Sequence, residues 1–154
     1  DFNGLEPFPI RWDQLIDQKW RQMGDDMTIK FPSWIAPRVL SILRLVAGLL
    51  FLEHGTQKLF GIPATDHAPA FLSLFWVGGV IEIVTGVLIA IGLFTRPAAF
   101  VASGMMAVAY WMVHAPQTPF PATNGGDAAV LFCFLFLYFV FAGPGPWSAD
   151  QRKF

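Results

Sequence analysis

Residues 77–92 read VGGVIEIVTGVLIAIG, a continuous apolar run with a single charge, Glu82, and no proline. They lie inside a longer proline-free window, Ala70 to Arg96, of 27 residues. About 20 apolar residues in a helix cross a hydrocarbon core of about 30 Å, so this window is long enough to span a bilayer. Three more such windows accompany it, Arg38 to Ile62, Ala98 to Ala115 and Ala122 to Gly143, of 25, 18 and 22 residues. All 12 prolines fall outside these four windows. The separators TRPAA, HAPQTPFPATNGGD and AGPGPWS are turn sequences, with Pro97 suited to a helix start and Asp127 to the first turn of the last helix. Continuous apolar runs without alternation argue against a β-barrel. The expectation is an all-α polytopic membrane protein built as a four-transmembrane-helix bundle.

Composition agrees. Of 154 residues, 55% are hydrophobic and 14% charged, and the mean hydropathy is +0.51, too lopsided for a water-soluble domain. Ten Lys and Arg against 11 Asp and Glu leave no basic excess for replacing counterions on phosphates, which sets nucleic acid aside. The single cysteine, Cys133, excludes an internal disulfide, a CxxC motif and a four-cysteine zinc site.

Short loops rich in Lys and Arg stay cytoplasmic. Lys30, Arg38 and Arg44 precede or open the first span, Arg96 lies between the second and third, and Arg152 and Lys153 close the chain, whereas only Lys58 falls on the opposite side. Both termini are therefore expected in the cytoplasm, with the connections after the first and third spans on the outer face. Residues 1–30 are of another kind. They hold six acids and four bases and no signal-peptide core, while Trp12, Leu15, Ile16, Trp20 and Met23 recur at helical spacing. An amphipathic segment is expected, lying in the membrane interface or docking on a partner subunit. The alternative is that Met27 is the natural start and what precedes it is a leader or fusion.

Charged residues inside the spans each cost about 2.5 to 3.5 kcal/mol at a helix centre and so need a partner or a purpose. Glu82 shares a face with Gly78, Gly86 and Ala90 and is expected to point inward, either as a proton-exchanging acid or as a hydrogen-bonded pin between helices. In the first span Arg44, Gly48, Phe51, Gly55 and Lys58 form one stripe. Arg44 has two readings, a snorkel to the headgroups or a buried partner for Glu82. Met106, Tyr110 and His114 recur along the third span, a packing stripe more readily than a cofactor box, and the fourth span is Phe-rich on every side.

The topology brings His54, Asp66, His67, His114 and Asp127 to the outer face, where histidine chemistry means proton transfer or metal binding. If the first and third spans border a pocket under the Asn124 to Asp127 turn, His54 and His114 would hold the two carbonyls of a quinone headgroup, with Lys58 stabilising negative charge. A metal held by His54, His114 and Asp127 is the rival use of that geometry. The Asn124-Gly125-Gly126-Asp127 turn reads as an anion nest or as a plain loop and helix start.

The stretches LRLVAGLLFLEHGTQKLFG (43–61), GGVIEIVTGVLIAIGLFTRPAA (78–99), NGGDAA (124–129) and GPGPWSAD (143–150) resemble, in order, the DoxX family of small four-helix bacterial membrane proteins. The resemblance runs from about Met27 to Asp150, so a four-helix membrane domain over 31–154 is expected, and residues 1–26 have no counterpart. On the family pattern, His54, Gly55, Lys58, Gly61, Glu82, Gly86, Asn124, Gly125 and Asp127 match. The resemblance implies association with membrane oxidoreductases, including a thiosulfate to quinone oxidoreductase subunit and complexes with superoxide dismutase and sulfurtransferase partners. No haem, flavin or iron-sulfur motif is present, so electrons would come from a partner. Two functional readings stand. One is a quinone-linked redox subunit of the bacterial inner membrane, with His54 and Glu82 as catalytic residues and Lys58, His114, Asn124 and Asp127 binding the ligand. The other is a non-catalytic scaffold or assembly factor that recruits partner subunits. Either is compatible with a homo-oligomer. A small transporter is disfavoured, since discontinuous spans are lacking.

Overall fold

Glycine and proline punctuation sets the element boundaries in the computed structural model, which describes residues 12–27, 32–65 and 69–152. All regular structure among the described residues is helical: α1 Trp12–Met27, α2 Ile35–Phe60, α3 Leu74–Ile91, α4 Thr95–Ala109, α5 Pro121–Asn124 and α6 Asp127–Ala142. A π-helical turn, Tyr110–His114, prolongs α4, and a 3₁₀ turn spans Asp150–Arg152. Gly61 and Gly92, both left-handed with φ of 66° and 72°, end α2 and α3 by donating back to carbonyls of the last turn. Ser73 caps the start of α3, its hydroxyl accepting from the Trp76 amide at 3.2 Å. Pro37 lies inside α2 but in its first turn, where no intrahelical donor is lost, so this helix begins before the expected window.

Two units divide the chain, 1–33 and 34–154. In the first, Leu15, Ile16, Trp20 and Met23 of α1 are exposed, and the expected participation of the Trp12 side chain lies outside the described residues. The second holds three helices long and apolar enough to cross a membrane: Ile35–Phe60, Leu74–Ile91 and Thr95–His114. The fourth apolar helix, Asp127–Ala142, has 16 residues, a length of about 24 Å. Large apolar side chains such as Leu49, Val84, Phe100, Leu131 and Phe141 face outward along these helices, as lipid-facing surfaces do.

Antiparallel α2 and α3 touch backbone to backbone. A Cβ placed on Gly48 would come within 2.5 Å of the Ala90 amide nitrogen, and one on Gly86 within 2.8 Å of that of Leu52. Gly55 meets the Gly79 carbonyl in the same way at 2.8 Å. Glycine is required at these crossings because any side chain would force the helices apart. The expected stripe of small residues on α3 is thus corrected by one position, since Gly79 packs on α2 while Gly78 faces open space. Helices α4 and α6 meet through Ala98, Ala99, Ala102, Met106, Ala129, Phe136 and Phe139, all buried, and Phe51 of α2 joins them with its ring 4.7 Å from that of Phe136.

Candidate functional site

Two charged side chains are buried within these helices, and their surroundings differ. Arg44 is enclosed in the first half of α2. Its guanidinium donates to the carbonyls of Pro144 at 2.8 Å, Ala90 at 2.7 Å, Trp147 at 2.6 Å, and also Ile89. Both readings of Arg44 from sequence are therefore corrected. It neither snorkels to the headgroups nor pairs with Glu82, because carbonyls at the end of α3 and in the 143–147 segment converge on it. The same segment is laced to its neighbours by Ala149 N to Ile91 O at 3.2 Å and Asp150 N to Gly92 O at 2.8 Å. The Asp150 carboxylate in turn accepts from the Phe94 and Thr95 amides, both at 2.9 Å, and caps α4. Every guanidinium nitrogen of Arg44 is engaged here, and this end of the helices is a structural lock.

Glu82 lies near the middle of α3. One oxygen, Oε1, is 2.5 Å from Lys58 Nζ across the α2–α3 crossing, and the pair can form because Gly55 and Gly79 let the two backbones close up. The other oxygen, Oε2, is buried with no hydrogen-bond partner. A cavity of about 360 Å³ opens beside the pair between α3 and α4. Lys58 and Glu82 are the charged residues of its lining, and the remaining walls include Gly78, Val101, Gly104, Met105 and Met112. Added Cβ atoms at Gly78 and Gly104 would meet nothing within 4 Å, so the two glycines leave the cavity its width. The π-helical turn, closed by Ala115 N donating to Tyr110 O at 2.9 Å, carries Met112 and Val113 into the wall. Such turns recur at functional sites, where the extra residue widens the helix.

The remaining expected site residues fall elsewhere. His54 is exposed one turn before Lys58, its ring edge-on to Phe132 at 6.1 Å. His114 binds the Asn124 carbonyl through Nδ1 at 3.0 Å and stacks on Tyr110. The Asn124 side chain donates to Thr118 O at 2.7 Å and accepts from Gly126 N at 2.8 Å, which stabilises the turn before α6, and Asp127 is exposed. Neither His54 nor His114 lines the cavity. Among the described residues no three His, Cys, Asp or Glu side chains come together, so the metal set of His54, His114 and Asp127 is not assembled. Asp66 and His67 lie outside the described residues. Sequence reading missed the part played by Gly104 and Met112; the only trace of it was the glycine in the third apolar window, which has no turn to serve.

The sequence pattern of the DoxX family matches residues 39–115, half of the chain. The chain belongs to the DoxX family. That match contains Arg44, Lys58, Glu82 and Gly104, so both buried charges and the cavity lie in the family's region of the chain. An uncharacterized protein of Haemophilus influenzae is 41% identical over 124 residues, covering 77% of this chain and 92% of its own length. An uncharacterized membrane protein of Mycobacterium tuberculosis is 33% identical, covering 79% and 88% respectively. No solved structure matches the chain. With its apolar outward-facing helices, it is a membrane protein of this family.

Proposed function

We propose that this chain is the integral membrane subunit of a quinone-linked oxidoreductase system, holding the quinone headgroup in the cavity beside Lys58 and Glu82. The observation that carries the reading is the apolar cavity of about 360 Å³ with a single charged pair in its wall. Small-molecule sites combine apolar walls with a few convergent polar groups in roughly 300–1,000 Å³. The residues fit such a group: Glu82 Oε2 lacks a partner, and Gly78 and Gly104 leave space for a flat ring. When bound, a quinone supplies two-electron redox chemistry coupled to proton uptake, with the electrons arriving from a partner subunit. Lys58 places positive charge where negative charge develops on an oxygen, Glu82 moves a proton at its carboxylate, and exposed His54 exchanges that proton with water.

In this reading α6 is the fourth span of a four-helix bundle in the bacterial cytoplasmic membrane, with both termini cytoplasmic. Lys and Arg at the start of α2, between α3 and α4 and at the chain end support that orientation. His114, Asn124 and Asp127 would shape the outer mouth without touching the ring. The segment 1–30 would lie in the interface or on a partner subunit through Leu15, Ile16 and Trp20, which are exposed. That face is also what favours the second reading, a scaffold that recruits partners.

The test is binding of a short-chain quinone analogue to the purified chain in lipid nanodiscs. The analogue should bind the wild type and be weakened about tenfold or more by Lys58→Gln, with loss of one hydrogen bond to a charged group. His114→Ala should leave affinity unchanged. No binding by a folded wild type would leave the scaffold reading in its place.

A further inference from the structure

We infer that the cavity selects the reduced, hydroxyl-bearing form of its ligand, a quinol over the matching quinone, because Glu82 Oε2 is an acceptor without a donor. This deepens the reading above and rests on it. Lys58 Nζ occupies Oε1 at 2.5 Å, which makes the pair neutral as a unit and leaves Oε2 of this cavity-lining residue without a partner. A carboxylate oxygen paired in this way can only accept a hydrogen bond. Buried polar atoms are almost always satisfied, so an orphan beside a cavity calls for a partner from outside the chain.

The rest of the lining narrows what that partner is. Apart from Lys58 and Glu82 the walls are aliphatic and thioether side chains, the ring of Phe75 and two glycines, so a second charge on the ligand would have no counterpart. A neutral hydroxyl donor fits, and its bond to a carboxylate is charge-assisted. Gly78 and Gly104, on opposing helices with open space above each, give flat access to a ring, and Met105, Met106 and Met112 offer polarisable contact to it. A quinone presents carbonyl lone pairs and has nothing to donate to Oε2. Its carbonyl can still accept a hydrogen bond from Lys58 Nζ, which is why the expected difference is graded and not absolute.

The experiment uses the full chain in nanodiscs under anaerobic conditions, with a decyl-chain quinol and the matching quinone as probes and empty nanodiscs as the blank. Binding is read by quenching of intrinsic tryptophan fluorescence. The quinol should bind about tenfold more tightly, the worth of one hydrogen bond to a charged group. Glu82→Gln, whose amide both donates and accepts, should bring the ratio to within about twofold. Gly104→Leu fills the cavity from a position with no neighbour to clash with, so it should stay folded and bind neither form.

Equal affinities in the wild type, or an unchanged ratio in Glu82→Gln, overturn the inference while leaving the quinone site standing, provided Gly104→Leu abolishes binding. Absence of binding by either probe overturns the site itself. Decanol competing as well as the quinol overturns the assignment to a ring-bearing ligand, since it would show that a hydroxyl on any apolar chain suffices. The wild-type ratio alone decides the matter if Glu82→Gln fails to fold.

Discussion

Arg44 and Glu82 are each 2% exposed inside helices that are long and apolar enough to cross a membrane, yet the chain treats them in opposite ways. Arg44 donates to four backbone carbonyls drawn from α3 and the segment after α6. Glu82 has one partner and one bare oxygen. The first lies where the end of α3 and the 143–147 segment come together and offer it backbone acceptors. The second lies at mid-helix, where backbone groups are already spent on the helix and only side chains can reply. A buried charge saturated by backbone is explained by folding alone. A buried charge left half-satisfied beside a cavity is not, and that is why the candidate site is placed at Glu82.

The contrast can be broken most forcefully at Arg44. Arg44→Met leaves four carbonyls without their donor, and the expected loss is about 3 kcal/mol or more. Thermal unfolding of the detergent-solubilised protein should show a large fall in Tm, and Arg44→Lys should recover less than half of it because an ammonium cannot fork to carbonyls on two segments at once. A stable Arg44→Met would mean that the closed end is held by apolar packing, with the guanidinium incidental.

At the other charge the loss should be smaller and conditional. Lys58→Met strands Glu82 without its partner, at an expected loss of about 2–3 kcal/mol, and adding Glu82→Gln should restore about 1 kcal/mol or more. Additive losses in this double-mutant cycle would contradict the 2.5 Å pairing. The smallest effect is expected at Asp150, whose carboxylate caps α4 through the Phe94 and Thr95 amides. Asp150→Ala should lower stability by about 1 kcal/mol. Hydrogen exchange at those two amides should accelerate while that of the Gly86 amide, deep in the α2–α3 crossing, does not.

Apolar windows and their proline borders made the helices legible before any coordinates, because a bilayer demands a length of apolar helix that few other structures supply. Family membership was legible too, in HGTQKLFG and GGVIEIVTGVLIAIGLFTRPAA, both inside the matched residues. The glycine stripe on α2 was read correctly, since a helix repeats every 3.6 residues and Gly48 and Gly55 fall on one line. On α3 the same arithmetic chose Gly78 over Gly79, two neighbours on adjoining faces that periodicity cannot separate without knowing where α2 lies.

What the sequence alone determined, then, is what a single helix can encode: length, apolarity, punctuation, and the presence of Arg44, Lys58 and Glu82 among apolar neighbours. What only the tertiary structure decided is which charge answers which. Lys58 and Glu82 are 24 positions apart, and Arg44 reaches carbonyls as far as 103 positions away. No local pattern records such distances, because a backbone carbonyl is offered by every residue type and becomes a partner only when a neighbouring chain segment turns it inward. The cavity belongs to the same class, as a space between Gly78 and Gly104 that neither helix encloses until the other is beside it.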